Sequence, residues 1–172
     1  MTRYTFRRAR ITLDAPSTWR KAPLLKRMLH PRQPELYGPN NEYIGFDSVE
    51  KDDAPPTLAE AAIQLRDDIV ARGNTLVSAS SIVVLGKEHP TAIFDKPMRY
   101  AATEMTRLKK YRLFLAGTVY TITARLSFEG SESGGGEPSP FRRGDVLKES
   151  SRRITFYSEE GYDKIVKSIS IT

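Results

Sequence analysis

The stretch from Leu108 to Phe128 constrains the fold more than any other part of the chain. Tyr120, Ile122, Ala124, Leu126 and Phe128 alternate with Thr121, Thr123, Arg125 and Ser127. A two-residue period of this kind marks a strand with one face on the core and one in water. A second apolar run, Leu108 to Leu115, precedes it, and Ala116-Gly117 sits between them as a two-residue turn. The pattern predicts an antiparallel hairpin in a sheet with one buried face.

Helical spacing is strongest from Thr57 to Arg72. Leu58, Ala61, Ala62, Leu65 and Ile69 recur on one face. Thr57-Leu58-Ala59-Glu60 has the form of a capping box, in which the Thr57 hydroxyl and the Glu60 carboxylate satisfy each other's backbone amides. Pro55-Pro56 closes the upstream side, and Gly73-Asn74 supplies a left-handed exit. A second helix is predicted after Ser158-Glu159-Glu160-Gly161, with Tyr162, Ile165, Val166 and Ile169 inward, and Ser168 to Thr172 ends as a short strand. Further strands are predicted over Tyr4 to Leu13, Tyr43 to Val49 and Leu76 to Leu85. The first breaks its parity near Arg7-Arg8, and the last ends at Gly86 with a break at His89-Pro90. Leu24, Leu25, Met28 and Leu29 allow one or two helical turns between Pro23 and Pro31. Residues 129–145 are rich in Gly, Ser and Pro and read as a mobile inserted loop. Helices flanking runs of strands predict an α+β fold with a mainly antiparallel sheet. The 172 residues are read as one domain, with insertions near 20–41 and 129–155.

Composition narrows the chemistry. The sequence has no cysteine and two histidines, His30 and His89. Disulfides, thiolate nucleophiles and Cys-based zinc sites are therefore excluded. No apolar run approaches the ~18 residues of a spanning helix, so membrane insertion is not expected. The start Met1 to Phe6 lacks an apolar leader core, and a cytoplasmic location is expected if Met1 is the natural start. The net charge of +6 is unevenly spread: residues 1–40 carry nine basic and two acidic groups, and residues 41–70 carry two and eight. Residues 71–128 carry nine basic and three acidic groups, and residues 129–172 seven and eight. Two positive blocks keep a polyanion partner in play.

Catalytic patterns are weak. Both histidines precede prolines and read as loop residues with no nucleophile elbow nearby. Neither stands at a metal-ligand spacing. Asp52-Asp53 and Asp67-Asp68 are adjacent, and adjacent carboxylates do not converge on a substrate. Gly134-Gly135-Gly136 lacks the Gly-Lys-Ser/Thr ending of a phosphate loop. Arg107, Lys109, Lys110 and Arg112 surround Tyr111 on a predicted strand, the combination that single-stranded nucleic acid would use. The plainer reading is an edge strand guarded by cations. Trp19 reads as a core anchor.

The segment Leu13-Asp14-Ala15-Pro16-x-x-Trp19 is similar to the opening of the PsbP-like superfamily, which includes DcrB-like bacterial proteins and a yeast Ran-binding factor. The ending Tyr162-Asp163-Lys164-Ile165-Val166-Lys167-Ser168-Ile169 resembles that family's ending. The capped helix 57–72, the strand 76–85 and the hairpin containing Val119 to Thr123 follow in the family's order. The proline-rich stretch 20–41 and the loop 129–155 depart from it. The resemblance implies an α/β/α sandwich around a mainly antiparallel central sheet, and a protein-binding member without shared catalytic residues, near a leaderless branch of effector-associated chaperones in bacterial type VI secretion.

The expected function is a non-enzymatic adaptor, chaperone or inhibitor-like partner that binds another protein and takes no cofactor or metal. The alternative is a nucleic-acid or polyanion binder, and an enzyme using carboxylates in a cleft is the third class. The insertions 20–41 and 129–155 are the expected recognition surfaces. Arg107, Lys109, Lys110, Tyr111, Arg112, Phe141, Arg142 and Arg143 are the candidate partner-binding residues.

Overall fold

A computed structural model describes residues 1–30, 33–51, 54–98, 101–131 and 151–172. Its order is β1 (Thr2–Phe6), β2 (Ile11–Ala15), β3 (Arg20–Lys21), α1 (Leu24–Leu29), β4 (Glu35–Tyr37), β5 (Tyr43–Lys51) and α2 (Leu58–Ala71). Then follow β6 (Thr75–Val84), β7 (Lys87–Met98), β8 (Ala101–Leu115), β9 (Thr118–Ser131), β10 (Ser151–Thr155), α3 (Glu159–Lys167) and β11 (Ser170–Ile171). Every strand pair is antiparallel. The large sheet runs β3-β4-β5-β9-β8-β7-β6, with β10 on β9 beyond the stretch that β5 occupies. A small sheet runs β1-β2-β11.

The β8–β9 hairpin holds the centre. Ala116 and Gly117 both have positive φ, 49° and 69°, as a tight two-residue turn between twisted strands requires. Tyr120, Ile122, Ala124 and Leu126 enter the main core with Tyr111, Leu113 and Leu115 of β8. The small sheet covers that face with Ile11, Leu13 and Ala15, and the α3 segment with Tyr162, Ile165, Val166 and Ile169. The opposite face receives α2, whose Leu65 and Ile69 pack on Ala92 and Phe94. Helix and small sheet on one side and helix on the other make the sandwich, an α+β fold. Both faces are covered, so Thr121, Thr123 and Ser127 are buried too. The expectation of one buried face is corrected accordingly.

The capping box forms as read. Glu60 N–H donates to Thr57 Oγ1 at 3.3 Å, and Thr57 N–H to Glu60 Oε2 at 2.8 Å. Gly73 takes φ +75° at the helix exit. The inward stripe of α2 is narrower than the spacing suggested: Ala61, Leu65 and Ile69 are buried, and Leu58 and Ala62 are exposed. Ser158 caps α3 by accepting from Gly161 N–H at 3.0 Å. No described helix is long and apolar enough to cross a membrane.

One expectation is overturned. The His89-Pro90 break is absent, because Leu85 and Gly86, with φ of 51° and 75°, turn β6 straight into β7. The ladder from β7 to β8 ends at Thr91↔Tyr111, so Pro90 gives up no pairing on that side. His89 is therefore a buried strand residue whose Nδ1 accepts from Phe114 N–H at 3.2 Å. Residues 20–41 are built into the large sheet at their ends, where Arg20↔Tyr37 and Lys21↔Leu36 pair. The segment 129–155 begins and ends as paired strand, Glu129↔Arg153 and Ser127↔Thr155 among the partners. Gly134-Gly135-Gly136 and Asp52-Asp53 lie outside the described residues.

Candidate functional site

The strand pleat separates the predicted basic cluster. Lys109 and Tyr111 project toward α3, where Lys109 Nζ reaches Glu159 at 2.7 Å and Asp163 at 2.8 Å. Tyr111 Oη donates to Asp163 at 2.9 Å, and burial beside that carboxylate holds the phenol far above its usual range. Arg112 projects toward α2 and pairs with Asp68. Lys110 reaches Asp47 at 3.3 Å and lies over the Phe94 ring. Arg107 makes a two-armed contact with Asp95, both arms at 2.8 Å. Each cation has an internal carboxylate. Phe141, Arg142 and Arg143 lie outside the described residues.

A different surface exposes apolar side chains beside three arginines that pair with nothing among the described residues. Helix α1 buries none of its residues, and Leu24, Leu25, Met28 and Leu29 are 64–69% exposed. Their spacing puts them on one side of the helix, with Lys26 and Arg27 on the other. Lys26 tethers the helix to the sheet, reaching Glu35 at 2.7 Å and Tyr37 Oη at 3.0 Å. The Glu35 partner raises the Lys26 pKa, with the Tyr37 hydroxyl adding to it.

Between α1 and the β1–β2 turn lies a groove of about 380 Å³. Phe6, Leu24, Met28 and Pro34 supply apolar walls, and Arg7, Arg8, Lys21 and Arg27 stand around it. The turn is fixed from below. Ala9 is buried, its carbonyl accepts from Tyr120 Oη at 3.1 Å, and Arg10 takes φ 57°. Anchoring Ala9 leaves Arg7 and Arg8 exposed at the tip. Lys21 Nζ donates to the Thr5 carbonyl at 2.8 Å and sits 4.8 Å from the centre of the Phe6 ring. Partial burial, and to a smaller extent Arg27, lowers its pKa. The guanidinium groups of Arg7, Arg8 and Arg27 make no ion pair or hydrogen bond among the described residues.

A larger cavity, about 850 Å³, lies on the α2 side of the sheet. Its inner polar groups satisfy one another: Thr123 Oγ1 donates to Asp47 at 2.6 Å, and Tyr43 Oη to Glu35 at 3.2 Å. Among the described residues no three of His, Asp and Glu converge as a metal site would require. Lys21, Leu24, Arg27, Met28 and Pro34 of the groove lie within 20–41. Phe6, Arg7 and Arg8 are not among the binding candidates that the sequence offers, although the paired arginines at a parity break are the visible trace of an exposed turn.

No family model and no curated protein matches the sequence. Among solved structures the chain is similar to the solution structure of cyanobacterial PsbP (CyanoP) from Synechocystis sp. PCC 6803. The two share 9% identity at a TM-score of 0.47, over 72% of this chain and 78% of that chain.

Proposed function

We propose that this protein is a non-enzymatic protein-binding module, an adaptor- or chaperone-like partner, and that the groove beside α1 docks an acidic segment bearing apolar side chains. The observation that carries the reading is the exposure of Leu24, Leu25, Met28 and Leu29 on one helix. Covering each such side chain is worth roughly 2 kcal/mol, and nothing among the described residues covers them. A contiguous exposed apolar cluster with a polar rim marks an interaction site. The rim sets the partner's sign: three unmatched guanidinium groups favour carboxylates, which they can hold with two parallel hydrogen bonds. The resemblance of residues 13–19 and 162–169 to the PsbP-like superfamily supports the form of the role, including service to secretion effectors.

A polyanion is the second reading, favoured by the same three guanidinium groups. It leaves the leucines uncovered, which is why it ranks second.

Three probes separate the two: an amphipathic peptide with acidic and leucine faces, the same peptide with lysines for its acids, and a single-stranded oligonucleotide. The acidic peptide should bind, and Leu25→Asp with Leu29→Asp should weaken it by about tenfold or more. Binding of the oligonucleotide alone, weakening steeply with salt, would replace the protein-binding reading with the polyanion one.

A further inference from the structure

Among the described residues, the free edges of the two sheets are guarded, with one exception. Strand β3 is two residues long and both are basic, Arg20 and Lys21. Strand β1 carries Arg3, and the Lys21 ammonium occupies its Thr5 carbonyl. Strand β10 carries Arg152 and Arg153. Strand β11 is two residues long. Such devices keep an open edge from pairing with another chain.

Strand β6 has none of them. Its ten residues, Thr75–Val84, include no charged side chain and no proline, in a chain that is 28% charged. Among the described residues it pairs only with β7, and no backbone–backbone hydrogen bond joins it to anything outside that ladder. Val77 and Val83 are 45% and 56% exposed, and Ser78 to Ser81 are small and open to solvent. A bulge interrupts the register between Leu76 and Ser78. From Ser78 to Val84 the ladder is continuous, so seven residues present a regular outer edge.

We propose that β6 pairs antiparallel with β6 of a second copy, joining two large sheets edge to edge. A two-fold axis perpendicular to the sheet keeps each face on its own side, so opposed residues must share a face. With the axis at Ser81, all seven regular residues find a partner. Ser81 faces Ser81 of the second copy, Ala79 faces Val83, Ser80 faces Ile82 and Ser78 faces Val84. Every pair is uncharged, and the exposed Val83 comes to rest against Ala79. The edge is self-complementary, which is what a closed two-fold interface demands, and the one charged group bound to it, the Glu88 carboxylate that accepts from the Ser81 hydroxyl, belongs to β7.

The test is sedimentation equilibrium of the full chain across roughly two decades of concentration around the micromolar range. The chain should be dimeric at the upper end. Ser81→Lys and Ser81→Glu each place like charges across the axis and should weaken the dimer by about tenfold or more. An equimolar mixture of the two should restore it as a heterodimer. Leu25→Asp with Leu29→Asp should dimerise like the parent, which keeps this interface distinct from the groove. Emission from the lone Trp19 reports that each variant is folded. A parent chain that stays monomeric throughout overturns the proposal, as does a folded Ser81→Lys variant that dimerises like the parent.

Discussion

The Lys109 ammonium lies 2.8 Å from the Asp163 carboxylate, joining residues 54 positions apart in sequence. Glu159 adds a second carboxylate at 2.7 Å, and Tyr111 Oη donates to Asp163 as well. The Lys109 side chain is 3% exposed, against 25% for Asp163 and 45% for Glu159. The bond therefore clamps α3 to β8.

Removing one partner strands the others. Lys109→Met should lower stability by about 3 kcal/mol, the lower end for a broken buried pair because the carboxylates keep some water. Adding Asp163→Asn should cost less than the sum of the two single changes by about 1 kcal/mol or more. Urea unfolding of the four proteins checks both figures.

His89 makes stability depend on pH. Burial, the largest cause, lowers its pKa below the ordinary 6.5, and Lys87 adds to the effect while the Val84 carbonyl opposes it. The unfolded chain thus takes up a proton before the folded one does. Stability is full above the unfolded value and falls as pH drops below about 6.5 toward the folded pKa. The urea midpoint should decline over that window, and His89→Gln should remove that part of the slope.

Alkaline pH tests a different set. Burial raises the pKa of Tyr43, Tyr111 and Tyr162 well above 10. Their contribution is intact below the unfolded value and is lost as pH rises past about 10. In an ultraviolet titration of the eight tyrosines, these three should stay silent until the protein unfolds.

Tyr162 also closes the core by hydrogen bonding. Its hydroxyl donates to the Arg125 carbonyl at 2.8 Å and accepts from Tyr43 N–H at 3.2 Å, while its ring meets Trp19 and Tyr157 edge-on. Tyr162→Phe leaves both backbone groups short of a partner and should cost about 1–3 kcal/mol, measured by thermal or urea unfolding.

Local chemistry was legible wherever it decides the outcome. Thr57 and Glu60 make their capping box within four residues, and Ala116-Gly117 marks its turn by itself. The same turn at Leu85-Gly86 was hidden because Lys87-Glu88-His89-Pro90 carries little strand preference. Tertiary pairing on β6 and the Phe114 amide bound to His89 impose the strand there. The fate of Arg107 to Arg112 was not legible either. Alternation sends neighbours to opposite faces, but nothing local says that α3 brings Asp163 to one face and α2 brings Asp68 to the other. The groove beside α1 left its trace in a proline-rich stretch and the Arg7-Arg8 pair, since the exposure of Leu24 to Leu29 depends on where β3 and β4 pin its ends.

The most direct measurement puts a photo-crosslinking amino acid at Leu25 and, as a control, at Ile63 on the outer face of α2, and irradiates cells of the protein's own source. The account predicts a discrete protein adduct from position 25 that survives nuclease, maps to an acidic segment with apolar side chains, and is absent from position 63. Equal labelling from both positions, or an adduct that nuclease removes, would contradict it.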